Sequence, residues 1–141
     1  MAARTGRRTG ADRSTAPCPC GSGRRYDACC ADLHHGRVQA TTAEQLMRSR
    51  FSAFAVADAA YLLRTWHSST RPPAVRLDPD QRWTRVDILA TSGGGLFDTT
   101  GTVRFRAHYL HRGRPGALAE HSRFVRENAM WRYLEALPPD G

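Results

Sequence analysis

Lysine is absent from this chain of 141 residues, so its basic charge rests on 21 arginines against 13 acidic residues, for a formal net charge of +8. An arginine excess with no lysine reads chiefly as the compositional bias of a GC-rich genome. Residues 1–37 hold seven arginines and three aspartates, and the remainder holds fourteen arginines and ten acids, so neither part carries a polybasic block built for nucleic acid. No run of 18 apolar residues exists, which excludes a membrane-spanning helix. The opening Met-Ala-Ala-Arg-Thr-Gly-Arg-Arg-Thr-Gly has no apolar stretch behind its arginines, so a Sec or twin-arginine leader is not expected and the cytoplasm is the expected location. An Arg-rich organelle transit peptide would share this composition. No tryptophan precedes residue 60, and residues 1–16 lack core-forming side chains and are expected to form a disordered basic tail. At this length one compact domain with a short appendage is expected.

Cysteine is missing everywhere except between residues 18 and 30, where Cys18, Cys20, Cys29 and Cys30 are laid out as C-x-C-x8-C-C. Four thiolates satisfy the tetrahedral demand of a structural zinc ion, and the Gly21-Ser22-Gly23 insert lets the backbone turn tightly between the pairs. A closed four-sulfur shell leaves no position for a reacting water, so the expected role is to fold a segment of about twenty residues that has almost no core of its own. A disulfide framework is opposed by a reducing compartment and by the strain of a vicinal Cys29-Cys30 bond. The C-x-x-C spacing of a redox dithiol is missing, while an iron–sulfur cluster uses the same ligand type. His34 and His35 lie close enough in sequence to replace one thiolate, although adjacent histidines are more often surface residues.

Beyond a linker at Gly36, Thr42-Ala43-Glu44-Gln45 has the form of a capping box, and Leu46, Met47, Phe51, Phe54 and Ala55 recur at helical spacing to about Asp58. Asp58 is placed to cap a second helix carrying Tyr61, Leu62, Leu63 and Trp66, with Pro72-Pro73 as its limit. The period then changes to two: Val103, Phe105, Ala107 and Tyr109 alternate with Arg104, Arg106 and His108. Further strands are expected over 83–90, 118–126 and 129–134, with connections at Gly93-Gly94-Gly95 and Glu127-Asn128 and a turn at Gly113-Arg114-Pro115-Gly116. Together these give an α+β fold over 40–137, two helices packed on one face of a curved antiparallel sheet, with the cysteine module over 17–36 in front.

The run Cys18-Pro19-Cys20-Gly21-Ser22-Gly23-Arg24-Arg25-Tyr26-Asp27-Ala28-Cys29-Cys30 closely resembles the SEC-C motif, the small zinc module at the C-terminal end of the SecA translocation ATPase. The resemblance implies that all four cysteines are zinc ligands, and it implies a protein-binding role, since the SecA module contacts partners such as the chaperone SecB. Here the motif is N-terminal and the ATPase is missing. Arg48-Ser49-Arg50-Phe51-Ser52-Ala53-Phe54, Tyr61 through His67, Glu120-His121-Ser122-Arg123-Phe124 and Trp131-Arg132-Tyr133 are similar to the YchJ-type bacterial family. That family joins a SEC-C motif to a nuclear-transport-factor-two-like, or cystatin-like, cone and has no established activity. Some members carry a second cysteine module; no cysteine follows Cys30 in this sequence, so a function needing two modules is not expected.

Cones of this type often enclose a pocket, so a small ligand is expected there, with an isomerase- or hydrolase-type enzyme as the alternative. Its candidate acid/base groups are His67, His108, His121, Glu120 and Asp87, which form no diagnostic spacing. Arg48 and Arg50 read as a solvated or salt-bridged helix face, and Trp66-His67 marks the expected pocket mouth. Nucleic-acid binding is a second alternative on Arg24, Arg25, Arg104, Arg106 and His108, disfavoured by the lack of interleaved aromatic residues. The leading expectation is a protein-interaction element stapled by structural zinc and attached to a cone, with no catalytic residue assigned.

Overall fold

A computed structural model describes residues 14–138, so most of the expected basic tail lies outside the described residues. The order of elements is a 3-10 turn at Tyr26–Ala28, α1 at Cys30–His34, α2 at Ala43–Ala55, α3 at Ala59–Arg64, and then β1 at Gln81–Gly93, β2 at Thr100–His111, β3 at Arg114–Glu127 and β4 at Met130–Ala136. The strands form one antiparallel meander in the order β1-β2-β3-β4. The expected α+β arrangement is therefore the observed one.

Local chemistry sets the helix starts. The Thr42 hydroxyl accepts from the Gln45 amide at 3.0 Å, as the capping pattern predicts. The Gln45 side chain reaches one residue further back than a capping box requires and accepts from the Thr41 amide at 2.8 Å. Asp58 caps α3 through the Tyr61 amide at 3.0 Å. That helix stops at Arg64, well before Pro72, because the following backbone pairs with β4: the His67 amide donates to the Tyr133 carbonyl at 2.8 Å, and the Tyr133 amide to Thr65 at 2.9 Å. These bonds fasten Trp66 to the sheet.

Register shifts between Trp83 and Arg85, between Ile88 and Ala90, and between Arg123 and Phe124 bend the sheet into a half-cone. Its concave face packs Val86, Val103, Phe105, Ala107, Phe124 and Trp131 against Ala43, Leu46, Met47 and Phe51 of α2. The hairpin between β2 and β3 turns at Arg112 and Gly113, both at positive φ, so the expected turn at residues 113–116 is shifted: Arg114, Pro115 and Gly116 already belong to β3. Pro115 pairs with Leu110, and β4 pairs only from Ser122 onward, so the missing amide of Pro115 costs no ladder bond on the open side.

The loop leaving β1 seats the start of α2. The Gly94 carbonyl accepts from the Ala43 amide at 2.9 Å, and the Gly94 amide donates to Thr100 at 2.9 Å. A Cβ on Gly101 would fall 2.5 Å from the Cα and 2.6 Å from the N of Gly94, which only a backbone shift relieves. Gly101→Ala is expected to destabilise the fold by about 2–3 kcal/mol, as overpacking against backbone does. Urea denaturation of the variant beside wild type measures it, and an unchanged midpoint contradicts the close approach.

Candidate metal centre and cone cavity

Each cysteine pair is placed by its own backbone device. The Cys18 amide donates to the Arg24 carbonyl at 2.8 Å and the Gly21 amide to the Cys18 carbonyl at 3.1 Å, closing a tight loop whose Gly21 and Gly23 sit at φ 85° and 84°. The Tyr26 amide donates to the Ala16 carbonyl at 2.9 Å. The second pair stands at the junction of the 3-10 turn and α1, with Cys29 between them and Cys30 as the first residue of α1. The result brings the sulfurs of Cys18, Cys20, Cys29 and Cys30 within 4.8 Å of one another, all four buried and none in a disulfide. Cys20 and Cys29 are 3.6 Å apart, against an edge of about 3.8 Å for a tetrahedron with zinc–sulfur bonds of about 2.3 Å. The donor set and the spacing both fit a thiophilic dication.

Charge points the same way. Hydrogen bonds from Cys20 and Cys30 hold the Cys18 thiol far below its ordinary range, while the bond to Cys18 pushes Cys20 up to about 11 and the bonds to Cys18 and Cys20 push Cys30 up strongly. Without a cation, one thiolate forms at the expense of its neighbours. A dication is what lets the whole set ionise together. The Ser22 hydroxyl at 3.2 Å and the Arg24 guanidinium at 3.7 Å add polar contacts to Cys29.

The cluster is bolted to α2. Arg48 donates to the Cys20 carbonyl at 2.6 Å while its other side pairs with Glu44 at 2.9 Å, so the reading of Arg48 as a salt-bridged face holds. His34 is neither a surface residue nor a spare metal ligand. It is buried, and its Nε2 lies 2.9 Å from the Ser49 carbonyl, which can only accept; Nε2 therefore carries the hydrogen, and Nδ1 accepts from the Tyr26 hydroxyl at 2.6 Å. Both nitrogens are thus spent, Nε2 on joining α1 to α2 and Nδ1 on joining α1 to the 3-10 turn. The signal was available: Cys30, Ala31, Leu33 and His34 form the buried side of a one-turn helix. His35 is exposed and contacts Arg37.

Burial pushes the His34 pKa below its ordinary value, so the folded protein keeps this ring neutral where the unfolded chain would protonate it. The unfolded state therefore binds the extra proton once the pH falls below about 6.5, and stability contributed above that pH is lost as the solution is acidified. Urea midpoints measured from about pH 8 down to about pH 5 should fall on the acid side for wild type and fall less steeply for His34→Gln. Equal slopes in the two proteins contradict the assignment.

On the opposite side of α2 the half-cone encloses a cavity of about 260 Å³. Its walls are mainly Met47, Phe51, Phe54, Trp83, Phe105, Ala107 and Phe124, with Leu118 at the exposed side. The polar members are Arg50, Glu120, Ser122 and Tyr133, with Trp66 beside them. Arg50 is only 7% exposed, and the sequence reading of it as a solvated helix face is wrong. Its place four residues after Leu46 and four before Phe54 was the missed signal. Nη1 donates to the Leu62 carbonyl at 2.8 Å and to the Thr65 hydroxyl at 2.7 Å, and the guanidinium stacks 4.7 Å from Tyr133 and 5.1 Å from Trp66. Burial lowers its pKa to about 10, which still leaves it charged at neutral pH. Glu120 accepts from the Ser122 hydroxyl at 2.5 Å and from Tyr133 at 3.2 Å. Burial, and then the Glu120 charge, push the Tyr133 phenol up.

Of the five candidate acid/base groups, only Glu120 reaches this cavity. His108 and Asp87 pair at 2.8 Å elsewhere on the sheet, His121 lies beside Arg104 at 3.4 Å, and His67 is 3.9 Å from Glu127. Of the Trp66-His67 pair expected at the pocket mouth, Trp66 lines the cavity and His67 does not.

A buried cysteine quartet in front of a four-stranded half-cone defines a class of small two-part bacterial proteins. The profile of the YchJ middle NTF2-like domain matches residues 42–136, and that of the SEC-C motif matches residues 15–32. A UPF0225 protein of Streptomyces coelicolor is 53% identical over 121 residues, covering 86% of this chain and 94% of that protein, and one of Cupriavidus metallidurans is 42% identical over 85% of this chain and 87% of its own length. The solution structure of RPA3114, a SEC-C motif containing protein from Rhodopseudomonas palustris, superposes with a TM-score of 0.74 at 30% identity, over 87% of this chain and 98% of that one. The crystal structure of a SEC-C motif containing protein from Psychrobacter arcticus gives 0.72 at 25% identity, over 87% of this chain and 82% of its own. This chain belongs to the UPF0225 family and combines a SEC-C motif with a YchJ-type NTF2-like domain.

Proposed function

We propose that this protein is a cytoplasmic adaptor whose SEC-C module, folded by one structural zinc ion on Cys18, Cys20, Cys29 and Cys30, docks a protein partner while the half-cone holds a small molecule. The observation that carries this reading is four buried sulfurs within 4.8 Å on a segment whose other buried side chains are few. The four-sulfur shell makes the metal a staple rather than a catalyst. Reduced thiols suit a cytoplasmic location. A groove of about 520 Å³ with both polar and apolar lining runs beside the cysteines, with Arg24, Asp32, Glu44 and Arg48 among its walls together with the half-exposed Val38. Mixed charge around an apolar contact is the composition of an interface rim. An adaptor is preferred to an enzyme because only one candidate acid/base group reaches the cavity, and to a nucleic-acid binder because His108 on the basic strand is already paired with Asp87.

Affinity capture tests the docking half. Intact protein, Val38→Glu in the groove, and Leu118→Trp at the cavity are used as bait side by side. The same partner should be retained by wild type and by Leu118→Trp and lost from Val38→Glu. A set of captured proteins identical across all three baits overturns the docking role.

A further inference from the structure

Arg50 is only 7% exposed, and a guanidinium so far from water is normally met by a carboxylate or by acceptors at each nitrogen. Here Nη1 alone is met, by the Leu62 carbonyl and the Thr65 hydroxyl; Nε and Nη2 have no hydrogen-bond partner, and no carboxylate pairs with them. Glu120 is half-used in the opposite sense. Both of its hydrogen bonds, from Ser122 and Tyr133, go to Oε2, and Oε1 receives none. Among the described residues the one side-chain nitrogen or oxygen sealed from solvent without a partner is Trp66 Nε1, so these atoms of Arg50 and Glu120 are open. The space that both residues line is the cone cavity.

We propose that the half-cone binds an uncharged primary carboxamide carried on an apolar group of about single-ring size, its carbonyl oxygen accepting from the free N–H groups of Arg50 and its amide N–H donating to Oε1 of Glu120. This rests on the reading of the half-cone as a ligand-holding chamber and names the chemistry of its occupant.

Geometry, charge and size each narrow the class. The Tyr133 ring stands 4.7 Å from the guanidinium carbon of Arg50, and its hydroxyl donates to Glu120 at 3.2 Å, so one phenol side chain spans the distance between cation and carboxylate. The two form no ion pair with each other, and a ligand that serves both needs its acceptor and its donor on separate atoms. A carboxamide has that form, whereas a ketone serves Arg50 alone. An anion would meet Arg50 but bring a second negative charge beside Glu120, and a cation would meet Glu120 but face Arg50, each in a mostly apolar site. A neutral amide leaves the two protein charges balanced, and each of its hydrogen bonds has a charged partner, which makes it one of the stronger kind. The walls of Phe51, Phe54, Trp83, Phe105 and Phe124 suit an apolar ring. An apolar cavity of about 150 Å³ takes benzene, so 260 Å³ has room for a ring with a short substituent and not for a nucleotide or a peptide. Leu118, 47% exposed, stands where such a molecule would enter.

The test titrates the full metal-loaded chain, labelled with nitrogen-15, with benzamide, acetophenone and benzoate. Benzamide should shift backbone resonances of the cavity walls saturably, and acetophenone and benzoate should each bind at least about fivefold more weakly. Glu120→Gln, which replaces the open carboxylate by a neutral amide of the same size, should weaken benzamide about tenfold and leave acetophenone unchanged, the effect of one charge-assisted hydrogen bond. Leu118→Trp, which fills the entrance and leaves Arg50 and Glu120 in place, should abolish binding and keeps the test open if Glu120→Gln does not fold. If no probe binds saturably, or benzamide binds Leu118→Trp as tightly as wild type, both the chamber reading and the proposal fall. If acetophenone or benzoate binds as tightly as benzamide, or Glu120→Gln weakens benzamide and acetophenone alike or neither, the chamber stands and the carboxamide assignment is overturned.

Discussion

Replacing Cys30 with serine is expected to remove the metal and to unfold the N-terminal module while leaving the sheet assembled. Cys30 is 2% exposed and starts α1, so its sulfur is fixed by helix geometry and not by a flexible loop. Serine is a far poorer ligand than thiolate, and three sulfurs do not close a tetrahedron. Structural zinc supplies about 10–16 kcal/mol of apparent binding energy in isolated modules, most of which is spent ordering the chain around it. What reaches the rest of this protein passes through the docking contacts on α2: Arg48 with the Cys20 carbonyl, His34 with Ser49, and Cys18 with Ser52. Losing them together is expected to cost about 3–5 kcal/mol, in the range of other lost structural networks. Elemental analysis of untagged protein should give one zinc per chain for wild type and well under a tenth of that for Cys30→Ser, and a parallel thermal melt reads the lost stability. A wild-type stoichiometry near zero, or visible absorption from an iron–sulfur chromophore, would sink the zinc assignment.

Trp131→Ala is the second large effect. Trp131 is 1% exposed and sits where the last strand meets the first turn of α2. Its indole N–H donates to the Thr41 carbonyl at 3.2 Å, and Arg126 stacks 4.5 Å from its ring. Truncation leaves a void in the sheet–helix core and strands a backbone acceptor beside the α2 cap. The expected cost is about 4 kcal/mol for the lost ring and the cavity, or roughly a 15 °C drop in Tm for a domain of this size. Trp131→Phe keeps most of the packing and should cost about 1–2 kcal/mol, largely the missing hydrogen bond. Thermal melts of both variants separate the two contributions. Equal losses would mean the hydrogen bond, not the packing, dominates.

What the sequence made legible was local and stoichiometric. Cap residues act within one turn, which is why Thr42 and Asp58 could be read from spacing, and a two-residue period survives wherever one strand face is wet, as in residues 103–109. Cysteine spacing likewise picked out the four sulfurs that the fold brings within 4.8 Å of one another. Failures came where a polar residue is buried by a partner distant in sequence. Arg50 is desolvated by Trp66 and Tyr133, the latter 83 positions away, and His34 by Ser49 of the next helix; helical spacing placed both on a buried face, but the partners that satisfy them lie outside the local stretch. The β2–β3 turn was misplaced for a different reason. Gly and Pro at residues 113–116 look like a turn, but Arg112 takes the left-handed conformation and Pro115 is tolerated on a strand with an open side.

Helix α2 carries the last consequence. Ser49, Arg50, Phe51, Ser52 and Ala53 are all buried in succession, with the Ser52 hydroxyl and the Ser49 carbonyl turned to the N-terminal module, the Ser49 hydroxyl to Tyr61 of α3, and Arg50 and Phe51 to the cone. The turn 49–53, buried at every position, has no face left that is stable in water if either neighbour departs. Its small serines allow the module's backbone to come close, and its large residues fill the cone, so one turn of chain is a party wall belonging to two rooms. Whatever tightens one room must do so against the other, which makes metal occupancy and cavity occupancy quantities that are read through the same thirteen residues.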